Sequence, residues 1–366
     1  MNNHLTRLEG EVSRTLNSLK DPLTGKGLID SGRVQGLVVH EDGRVSFTIE
    51  APAALVENFQ KVRDVSEANV KKVRGVRAVM AVLTAEAAPK QAPRAPAGAP
   101  TQRPPGVAAI VAVSSAKGGV GKSTVAVNLA CALAGLGQRV GLLDADVYGP
   151  SLPTLLGLVG QKPQVGPGKK LQPMEKFGIK AMSIGFLVDP DQPMVWRGPV
   201  ATGALRQLLM DVDWGELDVL VIDMPPGTGD VQLSLAQTVP LAGAVIVSTP
   251  QEMALADVRR GISMFEKTHV PVLGVIENMA YYEAPGGQRV AIFGEGGARR
   301  TAQEAGAPFL GELPIDVGLR ESSDAGKPLA ATSPDAAISQ RFRAIGELVL
   351  ARLAEGQKAP PVISFR

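Results

Sequence analysis

The sequence predicts an α/β fold: a doubly wound, mostly parallel sheet preceded by a small α+β domain. Three observations carry that prediction. Five β-rich apolar runs, Val107–Ser114, Val140–Asp144, Asp218–Asp223, Ala244–Ser248 and Val270–Glu277, alternate with helical patterns. Several lack polar alternation, as strands buried on both faces do. Strand–helix alternation of this kind builds a parallel sheet through right-handed crossovers. A glycine-rich loop stands between the first of these strands and a helical run. Finally, residues 85–106, "AEAAPKQAPRAPAGAPTQRPPG", hold six prolines and no bulky apolar residue, so they read as an extended linker rather than core.

In chain order, residues 1–84 read as a small domain of pattern α-β-β-α-β. "HLTRLEGEVSRTLNSL" sets Leu5, Leu8, Val12, Leu16 and Leu19 on one helical face. "RVQGLVVHEDGRVSFTIEA" is two strand-like runs joined at Asp42-Gly43, a strong hairpin signal. "ALVENFQKVRDVSEANVKKV" is a second amphipathic helix and "VRAVMAVLT" a third strand. His4 and His40 lie apart with no carboxylate motif and read as solvated or packing residues. The linker at 85–106 follows, then a large domain at 107–356 and a tail at 357–366, "QKAPPVISFR". A chain of 366 residues fits two domains.

Composition narrows the function. The 38 basic and 36 acidic residues leave a net charge of +2, which makes no case for non-specific nucleic-acid binding. No apolar run reaches membrane-spanning length, and "MNNHLTRLEGEV" lacks the apolar region of a signal peptide, so the expectation is a cytoplasmic protein with no membrane partner. The single cysteine, Cys131, cannot form an internal disulfide and cannot alone hold a metal cluster. Its setting, "NLACALAGL", makes it a small core residue.

The chemistry gathers at the carboxyl ends of the strands, where ligands bind in such sheets. "VAVSSAKGGVGKSTVAVNLACALA" is strand, glycine loop, helix. Ala116, Lys117, Gly118, Gly119, Val120, Gly121, Lys122, Ser123 and Thr124 form a phosphate cradle of the P-loop type. Its glycines let backbone N–H groups turn inward, and the helix N-terminus adds its positive end. Lys122 reaches the β/γ-phosphates and Ser123 ligates Mg²⁺. The motif G-x-x-x-x-G-K-[ST] departs at its first position, where Ala116 stands. "RVGLLDADVYGPS" ends a strand in Asp144 and Asp146, carboxylates suited to metal-bound or attacking water. "DVLVIDMPPGTGD" ends a strand in Asp223, a Mg²⁺ carboxylate of Walker B type, followed by a Pro225-Pro226-Gly227 turn whose Gly227 N–H can sense the γ-phosphate. Asn278 offers an amide to an adenine edge. For Asn278, as for Pro314 and Asp316 of "ELPIDVGLRESSDAGKPL", a turn or capping role is the alternative.

Lys117 resembles the extra lysine of the deviant Walker A ATPases, the group of MinD, ParA and the nitrogenase iron protein. There it reaches the nucleotide of the facing subunit, offsetting transition-state charge in trans. The resemblance implies a homodimer; a solvated lysine at a loop edge is the alternative. Together "SSAKGGVGKSTVAVNLA", "DADVYGPSLPTLLGL", "VWRGP", "LDVLVIDMPPGTGDVQLSLAQ", "TPQEMALADVRRGISMF", "ENMAYY" and "FGEGGA" resemble the Mrp/ApbC family of P-loop ATPases over about 107–330. The front domain, with "LKDPLTGKGLIDSGRV", resembles the iron–sulfur-assembly domain often fused ahead of them, with Leu23 where an acidic residue is common.

The resemblance implies an ATPase with ATP and Mg²⁺ at its site. It assigns catalytic roles to Lys117, Lys122, Asp146 (the hydrolysis residue) and Asp144. It also implies a homodimer that works with iron–sulfur assembly or client proteins. The family carries a Cys-x-x-Cys after the "NM-aromatic-aromatic" run, and two such pairs hold a [4Fe–4S] cluster across the dimer. The counterparts here are Ala284 and Gly287. Clusters need thiolates, so the expectation is a complete nucleotide machine with no cluster ligands. In that case Tyr281, Tyr282 and the Pro-Gly-Gly turn serve as a dimer or partner contact. The competing reading is a ParA/MinD-like switch, in which ATP-dependent dimerisation controls a protein or DNA partner.

Overall fold

A computed structural model describes residues 3–39, 43–52, 56–86, 103–166, 168, 170–187, 198–227 and 229–356. His40, Asp42, most of the linker, Val195–Arg197 of "VWRGP" and the tail lie outside the described residues. The chain divides into two units, Met1–Ala99 and Pro100–Arg366.

The smaller unit runs α1 (Asn3–Ser18), β1 (Val34–Val39), β2 (Arg44–Pro52), α2 (Val56–Val70) and β3 (Ala78–Glu86). β2 is central, antiparallel to β1 and parallel to β3. Leu8, Val12 and Leu16 recur at helical spacing on α1 and bury that face with Phe47 and Ile49 of β2 and Phe59 of α2. The loop after α1 is closed by Asp21, a buried carboxylate accepting from Leu23 N–H (3.0 Å), Thr24 Oγ1 (2.9 Å) and Arg33 Nε (3.2 Å).

The larger unit begins with β4 (Val107–Ser114), α3 (Lys122–Gly135), β5 (Val140–Asp144) and the single turn α4 (Leu152–Leu155). Next come β6 (Met174–Lys176), β7 (Ile179–Ser183), α5 (Gly198–Asp211), β8 (Leu217–Asp223) and α6 (Asp230–Thr238). They are followed by β9 (Gly243–Ser248), α7 (Glu252–Lys267), β10 (Val272–Glu277) and the short strands β11 (Tyr282–Glu283) and β12 (Arg289–Val290). The unit ends with α8 (Gly297–Glu304), β13 (Phe309–Glu312), α9 (Val317–Asp324), α10 (Leu329–Thr332) and α11 (Ala337–Gly356). One sheet of eight strands has the order β13-β10-β9-β4-β8-β5-β7-β6, parallel except for β6 at its edge. Every residue of β5 and β9 is buried, as their unbroken apolar runs require of strands covered on both faces. α3 is apolar nearly all round and lies inside, with Val125 through Leu133 buried.

The five apolar runs are strands, with two starting a residue earlier. The last starts at Val272, because Pro271 has no N–H and enters the ladder only through its carbonyl, which accepts from Ala244 N–H at 2.9 Å. Among the described residues, no helix is long and apolar enough to cross a membrane.

Candidate nucleotide site

The order of the sheet assembles the site. β4 carries the glycine loop at its carboxyl end, and β8 and β5 lie next in turn. Register then sets Ser183, Asp144 and Asp223 in one row across β7, β5 and β8. Gly119 and Gly121 both have φ of 80°, a left-handed conformation that side chains resist. Gly121 caps α3 with no side-chain hydrogen bond, leaving the first N–H groups of the helix facing the loop. Lys117, Gly118 and Gly119 are exposed, Ala116, Ser123 and Thr124 half-buried, and Lys122 buried.

Lys122 Nζ lies 3.2 Å from Ser123 Oγ and forms a buried ion pair with Asp223. The pair brings together, across 101 positions of sequence, the lysine expected to reach a phosphate and the carboxylate expected to face Mg²⁺. Asp144 is fully buried and accepts four hydrogen bonds, from Asp146 N–H (3.0 Å), Ser151 N–H (3.1 Å), Leu152 N–H (3.1 Å) and Ser183 Oγ (3.0 Å). Burial, and then the Asp223 carboxylate, push its carboxyl up to about 7, against the bonds from Leu152 and Asp146 and the charge of Lys122. Burial also raises Asp223, opposed by the Lys122 charge and by hydrogen bonds from Lys122 and Ser123. Asp146 is half-buried, accepting from Gly149 N–H at 3.3 Å, and is the more open of the two carboxylates at the end of β5.

Asn278 touches the loop directly. Its Nδ2 donates to the Val120 carbonyl (2.8 Å), and its own N–H donates to Ser248 O (2.7 Å). A Cβ on Gly121 would collide with the same amide, so a side chain there would displace this buttress. The Asn278 amide nitrogen is thus committed to the loop. Pro314 is buried after β13, and the Asp316 carboxylate caps α9, accepting from Leu319 N–H at 2.6 Å. The Gly227 N–H, expected to face a phosphate, donates to Ser115 O at 3.0 Å.

The segment after Asn278 is a hairpin, with Tyr282 opposite Val290 and Glu283 opposite Arg289. Its tip closes on backbone bonds, from Ala284 N–H to Gln288 O (2.9 Å) and from Gly287 N–H to Ala284 O (3.0 Å). Tyr281, expected at a contact surface, is instead only 5% exposed. Arg289 (4.2 Å) and Arg341 (5.8 Å) both lie over its ring, and Arg289 also pairs with Glu312 at 3.1 Å. Two residues given no role by the sequence also join the site: Ser183, which stands in no motif, and Gln232 on α6, which lies within the quoted run 217–237. Only the fold places them beside Asp144 and Ser115.

The family model described as NUBPL iron-transfer P-loop NTPase matches residues 106–350. The chain belongs to this family. A second family, described as iron–sulfur cluster assembly protein, matches residues 9–81, ahead of the P-loop NTPase region. An iron–sulfur cluster carrier protein of Synechocystis is 44% identical over 94% of this chain and 97% of its own length. One from Escherichia coli is 49% identical over 71% of each chain. An Arabidopsis thaliana protein named as an iron–sulfur protein required for mitochondrial NADH dehydrogenase is 51% identical over 70% of this chain and 82% of its own. Among solved structures, a nucleotide-binding protein of Archaeoglobus fulgidus in complex with ADP is 46% identical, with a TM-score of 0.54, over 61% of this chain and 88% of that one.

Proposed function

We propose that this P-loop NTPase binds and hydrolyses ATP as a homodimer and serves iron–sulfur cluster assembly or transfer to client proteins without holding a cluster on thiolates of its own. The observation that carries the reading is the meeting of Lys122, Ser123 and Asp223 beneath an open glycine loop. The ADP bound by the Archaeoglobus neighbour and the carrier names of the relatives support it. Ser123 and Asp223 would hold Mg²⁺, which neutralises phosphate charge when bound. Lys122 leaves Asp223 for the phosphates, Asp146 orients the attacking water, and the exposed Lys117 offsets charge on the nucleotide of the facing subunit. Asn278 and the residues Pro314 and Asp316 border the adenine side.

The residues do not fit a cluster as cargo held on this chain. Cluster iron is held by thiolates, and Cys131 is buried in α3 with its thiol pushed up to about 12 by burial. The counterpart positions are Ala284 and Gly287, within a tip closed by its own backbone. Among the described residues, no group of three or more His, Cys, Asp and Glu could hold a metal ion. Phosphate release from ATP, measured with and without Mg²⁺ and in Lys122→Ala, tests the first half; hydrolysis unchanged in that variant would overturn it. Anaerobic reconstitution tests the second, and about four irons per dimer would overturn it.

A further inference from the structure

Gln232 is 1% exposed on the first turn of α6, directly after the Pro225-Pro226-Gly227 turn. Its Nε2 donates to Pro225 O within that turn and to Ser115 O (3.4 Å), the residue that follows β4 and opens the glycine loop. Both partners are carbonyls, so the nitrogen must face them, and its two hydrogens serve one each. The amide oxygen, Oε1, is buried with no hydrogen-bond partner among the described residues. A buried acceptor left unpaired is costly. The side chain is therefore held in place by what its nitrogen does.

Ser115 O is shared. It also accepts from Gly227 N–H at 3.0 Å, and Gly227 sits at φ 98°, where only glycine turns freely. A single N–H cannot hold Ser115 O and also face a phosphate. If Gly227 is to contact the γ-phosphate, its bond to Ser115 O breaks. Without Gln232, that release would orphan a buried carbonyl and uncouple the turn from the glycine loop.

We propose that Gln232 is a positioning residue for ATP hydrolysis, the pin on which the 225–227 turn pivots. It keeps Pro225 O and Ser115 O tied together while Gly227 N–H swings from Ser115 to the nucleotide. This inference rests on the reading of the site as an ATPase. It assigns Gln232 no contact with substrate. It predicts that the residue governs how often bound ATP reaches the hydrolytic arrangement, and not how tightly ATP is held.

The test compares the full-length chain with Gln232→Met, which keeps volume and packing but donates nothing, and with Gln232→Glu, which sets a carboxylate against two carbonyls. The expected result is a fall in kcat of at least about tenfold, some 1.4 kcal/mol in the barrier, in both variants. KM for ATP stays within about threefold and the melting temperature of the Met variant within a few degrees. A folded Met variant with kcat within twofold of the parent overturns the proposal, as does a loss confined to KM. If the parent itself hydrolyses no ATP, the reading beneath the proposal falls instead. Should both variants fail to fold, hydrogen exchange on the unaltered chain decides. The peptide over 224–232 is expected to change its protection at Gly227 when a non-hydrolysable ATP analogue binds, and no change overturns the proposal.

Discussion

At the scale of single residues, the site is governed by a shortage of positive charge. Asp144 and Asp223 face each other across two strands, both buried, and Lys122 is the cation paired with Asp223 and drawing down both carboxyls. Removing one member of a buried pair leaves an uncompensated charge and costs about 3–5 kcal/mol. Lys122→Ala is therefore expected to lower the unfolding free energy of the nucleotide-free protein as well as to abolish hydrolysis. The loss must depend on pH. Both carboxyls already stand above their ordinary range, and losing Lys122 raises them further. A carboxyl raised in the folded state costs stability above its unfolded value near 4, and the cost grows as pH rises through the folded value. Urea unfolding should show a larger deficit at pH 8 than at pH 5. An equal deficit at both would mean that the lysine acts by packing alone. The sequence shows the glycine loop because cradling a phosphate needs consecutive residues. It does not show the pairing of residues 122 and 223, which the order of the strands alone creates.

At the scale of elements, strands long and apolar enough to announce themselves are the ones visible in the sequence. β6 and β7 are not: Met174–Lys176 and Ile179–Ser183 are short, and their pairing depends on a turn at Phe177-Gly178 with both residues at positive φ (54° and 76°). The pair β11 and β12, two residues each, is held by the Arg289 contacts to Tyr281 and Glu312 rather than by apolar alternation, so no period betrays it. Asp144 is the element-level surprise. Sequence suggests a catalytic carboxylate, and the fold gives it a second task. Its Oδ2 takes the Ser151 and Leu152 N–H groups at the start of α4 and the Ser183 hydroxyl at the end of β7. It therefore ties the start of α4 to the end of β7. Each buried donor left without an acceptor costs about 1–3 kcal/mol, so Asp144→Ala is expected to destabilise the larger unit by on the order of 3 kcal/mol or more. Asp146→Ala, with one exposed backbone donor to lose, should leave stability within about 0.5 kcal/mol of the parent. Urea titrations of the two variants separate the tasks: equal destabilisation would refute a structural role specific to Asp144.

At the scale of the whole molecule, the described residues form two cores with no residue in common, one built around Phe47, Ile49 and Phe59 and the other around the eight-stranded sheet. Units with their own cores can unfold as separate transitions. The probes for this are already in the chain. Both tryptophans, Trp196 and Trp214, and all three tyrosines lie in the larger unit, so intrinsic fluorescence reports that unit, whereas far-ultraviolet circular dichroism reports both. Trp214 is 1% exposed and donates to Leu209 O at 3.0 Å, so its emission should shift strongly when the sheet opens. A ligand that binds only the folded form stabilises it by about 2.7 kcal/mol at a hundred times its dissociation constant. Every residue proposed above for the nucleotide site belongs to the larger unit. Saturating Mg·ADP is thus expected to move the fluorescence midpoint to higher urea and to move only the matching part of the dichroism curve. The remaining part, from α1, α2 and the three-stranded sheet, should stay where it was. A single coincident transition that shifts as a whole on adding nucleotide would show the two cores to be one cooperative unit. It would also give the smaller unit a direct thermodynamic share in the nucleotide cycle.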